Sequence, residues 1–148
     1  MPKTIESSTQ KEKNSNSKNL IDLCLMTLFK KITIYFMGLA YIYVGIRHFV
    51  DPNFFLAIMP EYLPYHLEAV YISGICEIVL GALLLIKKYR RIAGWGLILL
   101  LIAVFPANIY LAQNEEAQHA IQISETAALI RLPFQALFIG LAYWHTKD

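Results

Sequence analysis

Charge is scarce in this sequence, and paired sulfur is absent. Of its 148 residues 16% are charged and 57% hydrophobic, whereas soluble domains carry roughly 25% charge. That shortage argues against an ordinary soluble domain and makes lipid the expected solvent. Two cysteines, Cys24 and Cys76, stand far apart and form no CxxC or metal-ligand spacing. The sequence therefore indicates neither a disulfide framework nor a zinc site, and dithiol redox chemistry within this chain alone is not expected. Cys76 lies in an apolar stretch and reads as a buried, inert thiol. His48, His66, His119 and His145 share no i, i+4 or HxH spacing, so no metal site is expected. There is also no GxGxxG, Walker loop, CxxCH or pair of haem-type histidines within the apolar runs. Any redox centre is then a diffusible ligand or belongs to a partner.

What the sequence has is apolar runs near the ~20 residues that cross a bilayer. Four are expected as membrane helices, at about 32–50, 67–86, 92–112 and 127–144. The fold class that follows is all-α, an integral membrane four-helix bundle. Residues 1–18, rich in Lys, Ser, Asn, Glu and Gln, have almost nothing to bury and read as a disordered cytoplasmic tail. They lack the arrangement of a cleavable signal peptide. Residues 19–31 are apolar until Lys30 and Lys31 and read as an interfacial segment. The membrane domain is expected over 32–145.

Gly38 and Gly45 sit seven residues apart on one face of the first span, where small residues permit close helix packing. The span ends at Asp51-Pro52, a cap followed by a residue suited to open a helix. The stretch NFFLAIMPEYLP at 53–64 is too short to cross and too aromatic for a free loop. A short interfacial or re-entrant helix, broken at Pro60 and Pro64, is expected.

Of the thirteen lysines and arginines, eleven fall on one side of the four runs. The positive-inside rule makes that side cytoplasmic and places both termini there. The net charge of +2 is thus a statement about topology, and no nucleic-acid partner is expected. The remaining two, Arg47 and Arg131, lie within spans near the opposite face. Ionisable groups inside a bilayer cost a few kcal/mol or more unless paired or wetted, so each marks a candidate site. At 1.5 Å rise per residue, Arg47, Asn108 and Arg131 lie ~5–6 Å from the outer ends of their spans, and Glu77 lies ~15 Å deep. Gln135 is one turn from Arg131 on the same face. Ser73, Glu77 and Gly81 form a stripe that faces another helix rather than lipid. Pro106 and Pro133 leave the carbonyls of Ile102 and Leu129 without their helical donors and are expected to bend both helices beside the polar residues.

Two readings of this cluster compete. In one, Arg47, His48, Glu77, Asn108, Arg131 and Gln135 line an outward-opening pocket. Its two arginines, against one glutamate, would be balanced by Glu68, Asp51 or an anionic ligand. In the other, Arg131 and Glu77 form an interhelical salt bridge completed by Asn108 and Gln135, which only specifies packing. Arg47 by itself can snorkel, and His48 can hydrogen-bond at the rim. The aromatic residues read as an interfacial belt and packing.

Read in order, GIRHFVDPNFF at 45–55, IMPEYLP at 58–64, SGICEIVLG at 73–81, FPANIYLA at 105–112 and RLPFQ at 131–135 resemble the DoxX-like family of small bacterial membrane proteins. The resemblance covers roughly 32–145 and implies a four-helix membrane bundle. It also implies kinship with subunits of quinone-linked oxidoreductases, maturation factors of redox enzymes and partners in thiol-oxidative stress complexes. The function expected from pattern and resemblance together is an accessory subunit of a membrane redox system, with a diffusible quinone as ligand and a redox enzyme subunit or a second copy as partner. Arg131 and Arg47 would hold oxygen atoms, Glu77 would exchange a proton, and Asn108 and Gln135 would orient the ligand. The alternatives are a non-catalytic assembly protein and a small proton-coupled transporter.

Overall fold

In a computed structural model, the backbone is described for residues 3–147 and the side chains for 16–147. The described residues form helices and no strands: α1 (Lys3–Val50), α2 (Pro52–Leu56), α3 (His66–Leu85), a 3-10 turn (Lys87–Tyr89), α4 (Arg90–Gln113), α5 (Glu115–Ala120) and α6 (Glu125–His145). Four helical stretches are long and apolar enough to cross a membrane: Asn16–Val50, His66–Leu85, Lys87–Gln113 and Glu125–His145. The fold is an all-α bundle, and the number and order of its spans are those the apolar runs predict. The tail expected over 1–18 falls, for residues 1–15, outside the described side chains.

The chain divides into two compact units, one up to Thr33 and one from Ile34 on. In the first, Leu20, Ile21, Leu23, Leu25, Met26, Leu28 and Phe29 are all exposed. Thr27 Oγ1 donates to the Leu23 carbonyl at 2.8 Å and Thr33 Oγ1 to that of Phe29 at 3.1 Å, the back-bonding that satisfies a hydroxyl on an apolar helix.

The second unit holds the bundle. Its α1 segment meets α3 through two pairs of glycines. A Cβ on Gly81 would stand 2.7 Å from the Gly38 carbonyl oxygen, and one on Gly45 would stand 2.6 Å from that of Gly74. Each helix thus carries its two glycines seven residues apart, and the pairing Gly38–Gly81 and Gly45–Gly74 runs antiparallel. Lipid tails are as apolar as leucine, so helices associate in a membrane through close backbone approach of this kind. Gly94 does the same on α4, where a Cβ would stand 2.9 Å from the Ala142 carbonyl oxygen of α6.

Two apolar clusters close the bundle. One, at the end carrying the basic turn, gathers Ile34, Met37, Leu84, Ala93, Leu97, Ile98 and Ala142. The other, at the far end, gathers Ile58, Leu111, Ala117 and Ala128. At the far end the N-termini of α2, α5 and α6 are each capped by a side chain. Asp51 accepts from Phe54 N–H at 3.4 Å with Pro52 in the first helical turn of α2, Asn114 accepts from Ala117 N–H at 2.9 Å, and Ser124 accepts from Ala127 N–H at 3.2 Å. These side chains satisfy helix N-terminal donors that have no intrahelical partner. The short helix expected over 53–64 is present but ends at Leu56, ahead of Pro60. Pro60 is buried, His66 Nε2 bonds its carbonyl at 3.0 Å, and Tyr65 enters α3 at φ 58°. The polar connection after α4 contains α5, whose buried Gln118 donates to the Leu111 carbonyl at 2.9 Å.

Candidate functional site

Between the two apolar clusters lies a cavity of about 530 Å³, within the size range of small-molecule sites. Four of the six residues singled out from the sequence line it: His48, Glu77, Asn108 and Arg131. Most of its remaining wall is apolar, with Phe55, Ile58 and Met59 of the α2 segment on one side and Ala103, Val104 and Ala107 of α4 on another. Small residues at these wall positions leave the space that Leu97 and Ile98 fill two turns earlier.

Gln135 is buried behind the wall. Its Nε2 donates to the Leu101 carbonyl, and its Oε1 accepts from Asn108 Nδ2 at 2.8 Å. This chain ties α6 to α4 beside Pro106 and Pro133, and both helices run through their prolines as continuous elements. The carbonyl engaged is that of Leu101, one residue before the one Pro106 leaves without a donor.

Arg47 is placed elsewhere. Its Nη2 pairs with Asp51 at 3.3 Å, and the two side chains are 42% and 44% exposed. The pair is local, four residues apart on α1 and its cap, and it takes Arg47 out of the cavity lining. Glu68, weighed as a counter-charge, is exposed.

The partner of Glu77 also differs from the interhelical bridge considered from the sequence. Its Oε2 lies 3.5 Å from His48 Nδ1, and Arg131 makes no ion pair among the described residues. His48 is buried rather than on a rim. Its Nδ1 lies 2.9 Å from the Val44 carbonyl oxygen, and its ring stacks on Phe55 at 3.6 Å between centroids. A carbonyl only accepts, so Nδ1 carries the proton and a neutral ring presents Nε2 as an acceptor. Glu77 is buried, and its Oε2 makes no hydrogen bond.

Sequence reasoning passed over Phe55 and read Cys76 as a buried, inert thiol. The aromatic density of NFFLAIMPEYLP signalled a packed segment but not that Phe55 would cover a histidine seven residues before it. Cys76 is half-buried and faces the cavity, whereas an apolar stretch by itself suggested a fully buried thiol. No cluster of three or more His, Cys, Asp or Glu suited to a metal occurs among the described residues.

Four apolar helices around a mostly apolar cavity with a few convergent polar groups define the class: a multi-pass membrane protein with an internal pocket. Residues 37–146 match the family described as Domain of unknown function (DUF8561), and the chain belongs to that family. The matched span holds the α1 glycines, the cavity and every candidate site residue. No curated protein and no solved structure matches the chain.

Proposed function

We propose that this protein binds the polar head of a small amphiphile in the cavity between α1, α3, α4 and α6. We further propose that it does so as an accessory subunit of a membrane redox system in the bacterial inner membrane. The observation that carries the binding reading is the conjunction, in one mostly apolar cavity, of a buried carboxylate without a hydrogen bond and an arginine without an ion pair. Both are costly in a membrane, and a ligand with oxygen atoms on an apolar body satisfies both at once. A quinone is such a ligand, and the resemblance to DoxX-like proteins supports it; membership of that family is part of the same proposal. The bias of lysine and arginine supports cytoplasmic termini and a cavity in the half of the membrane away from the cytoplasm.

The experiment compares normally inserted wild-type, Glu77→Gln and Arg131→Ala proteins for ligand retained on purification and for quinone reduction in membranes. Both variants are expected to lose bound amphiphile and to slow quinone reduction. Unchanged retention in both would end the binding reading, and unchanged quinone reduction alone would end the redox assignment. A second reading, a non-catalytic assembly protein, is favoured by one observation, the Asn108–Gln135–Leu101 chain that locks α4 to α6. It expects those substitutions to lower folded yield and partner co-purification together.

A further inference from the structure

We propose that the cavity selects a neutral amphiphile whose head donates a hydrogen bond, a hydroxyl-bearing head in preference to a carboxylate or an ester. This rests on the binding reading above and names the ligand's chemistry.

Charge comes first. With Arg47 held by Asp51, the ionisable groups facing the cavity among the described residues are Arg131 and Glu77, together with the His48 imidazole and the Cys76 thiol. One cation and one carboxylate leave no excess of positive charge for an anion to balance. An anionic head would gain Arg131 while meeting Glu77 across the same apolar space, where like charges are poorly screened.

Hydrogen-bond direction comes second. The Leu101 carbonyl can only accept, so the Gln135 group facing it is the amide NH₂. The Gln135 oxygen therefore faces Asn108, and the Asn108 group facing that oxygen must in turn be its NH₂. The backbone thus fixes the orientation of both side-chain amides, and Asn108 is left with Oδ1 free to accept. Glu77 Oε2, buried and without a hydrogen bond, adds a second group that lacks a donor. A hydroxyl satisfies either of them and can still accept from Arg131. An ester or an oxidised quinone can only accept, so it leaves Glu77 Oε2 and the Asn108 oxygen unmet, and an unmet polar group in an apolar cavity is what makes such sites discriminate. Among quinone-type ligands the site therefore favours the hydroxyl-bearing quinol.

The test titrates the full chain in detergent micelles with three twelve-carbon probes, monolauroylglycerol, methyl laurate and laurate, and reads bound stoichiometry by native mass spectrometry. Monolauroylglycerol is expected to bind about five- to tenfold more tightly than methyl laurate, the value of roughly one net hydrogen bond, with laurate no tighter than the ester. Asn108→Leu is expected to lower that ratio by roughly twofold or more, Glu77 remaining as an acceptor, and an unchanged ratio would overturn the part given to Asn108. Gln135→Leu is expected to lower it as well, although Asn108 is intact, because nothing then orients its amide. Should either variant fail to fold, the wild-type ratio decides. Equal binding of monolauroylglycerol and methyl laurate would overturn the selectivity while leaving the pocket as a binding site. Tighter binding of laurate would overturn it in favour of an anion. Binding of none of the three would remove this inference and the binding reading together.

Discussion

The two ends of the bundle are built on the same helices and solve opposite problems. At the basic-turn end, Ile34, Met37, Leu84 and Leu97 are almost wholly buried, and the glycines of α1, α3 and α4 bring backbones into contact. Toward the far end the same α3 and α4 offer Ser73, Cys76, Glu77, Ala103 and Ala107 to a cavity. The difference shows that the cavity is not a gap between badly fitted helices. Close approach is maintained along α1 and α3 as far as Gly45 and Gly74, and Gly74 itself abuts His48. The opening comes from side-chain size at specific wall positions, with α2 and its following turn laid over it.

Substitutions at the two ends should separate accordingly. Leu97→Ala, in the packed cluster, is expected to cost most, ~2–5 kcal/mol, because a fully buried leucine leaves a void that its neighbours only partly fill. A shift in unfolding midpoint in detergent measures it, and a negligible shift would mean that this end is as loose as the cavity. Gly81→Ala is next, at ~1–3 kcal/mol, since the new methyl must push the Gly38 carbonyl away and part α1 from α3. The same unfolding assay, read with helix crosslinking between the two, checks it. Ala107→Leu puts bulk into the cavity and should change stability by under ~1 kcal/mol, as added volume meets space rather than a neighbour, while abolishing retention of bound amphiphile. A loss as large as that of Gly81→Ala would show that the cavity is filled in the membrane. Smallest of all, Arg47→Ala should alter stability by no more than ~0.5 kcal/mol and leave ligand retention unchanged, as befits a half-exposed pair four residues apart. Loss of retained ligand in that variant would return Arg47 to the site.

The comparison also separates the groups at the far end that hold the fold from those that the proposed binding needs. Asn108 and Gln135 join α4 to α6, and Asn108 also lines the cavity. Interhelical hydrogen bonds in membranes average only ~0.6 kcal/mol, so their larger consequence is the fixed direction of the Asn108 amide. Glu77 and Arg131 do not join α3 to α6: the one polar contact of Glu77 is to His48 on α1, and Arg131 makes no ion pair among the described residues.

Much of this was determined by the sequence alone, where the governing physics is local. Four apolar runs have to be helices because backbone groups in lipid must be satisfied within their own segment. Each run falls on one of the four spans of the structure, although the first span reaches back to Asn16, through the segment 19–31 read as interfacial. Asp51 before Pro52 caps α2 as its side-chain chemistry requires, and Gly38 and Gly45, seven apart, marked the face on which another helix rests. Only the tertiary structure decided the partners. Nothing in the spacing of Glu77 told whether Arg131 or His48 would reach it, that Asp51 would keep Arg47, or which oxygen Asn108 would leave free. Each of those outcomes depends on the rotation and pairing of whole helices. That is set by many packing contacts far apart in the chain, whereas each span and each cap is settled within a turn or two of its own residues.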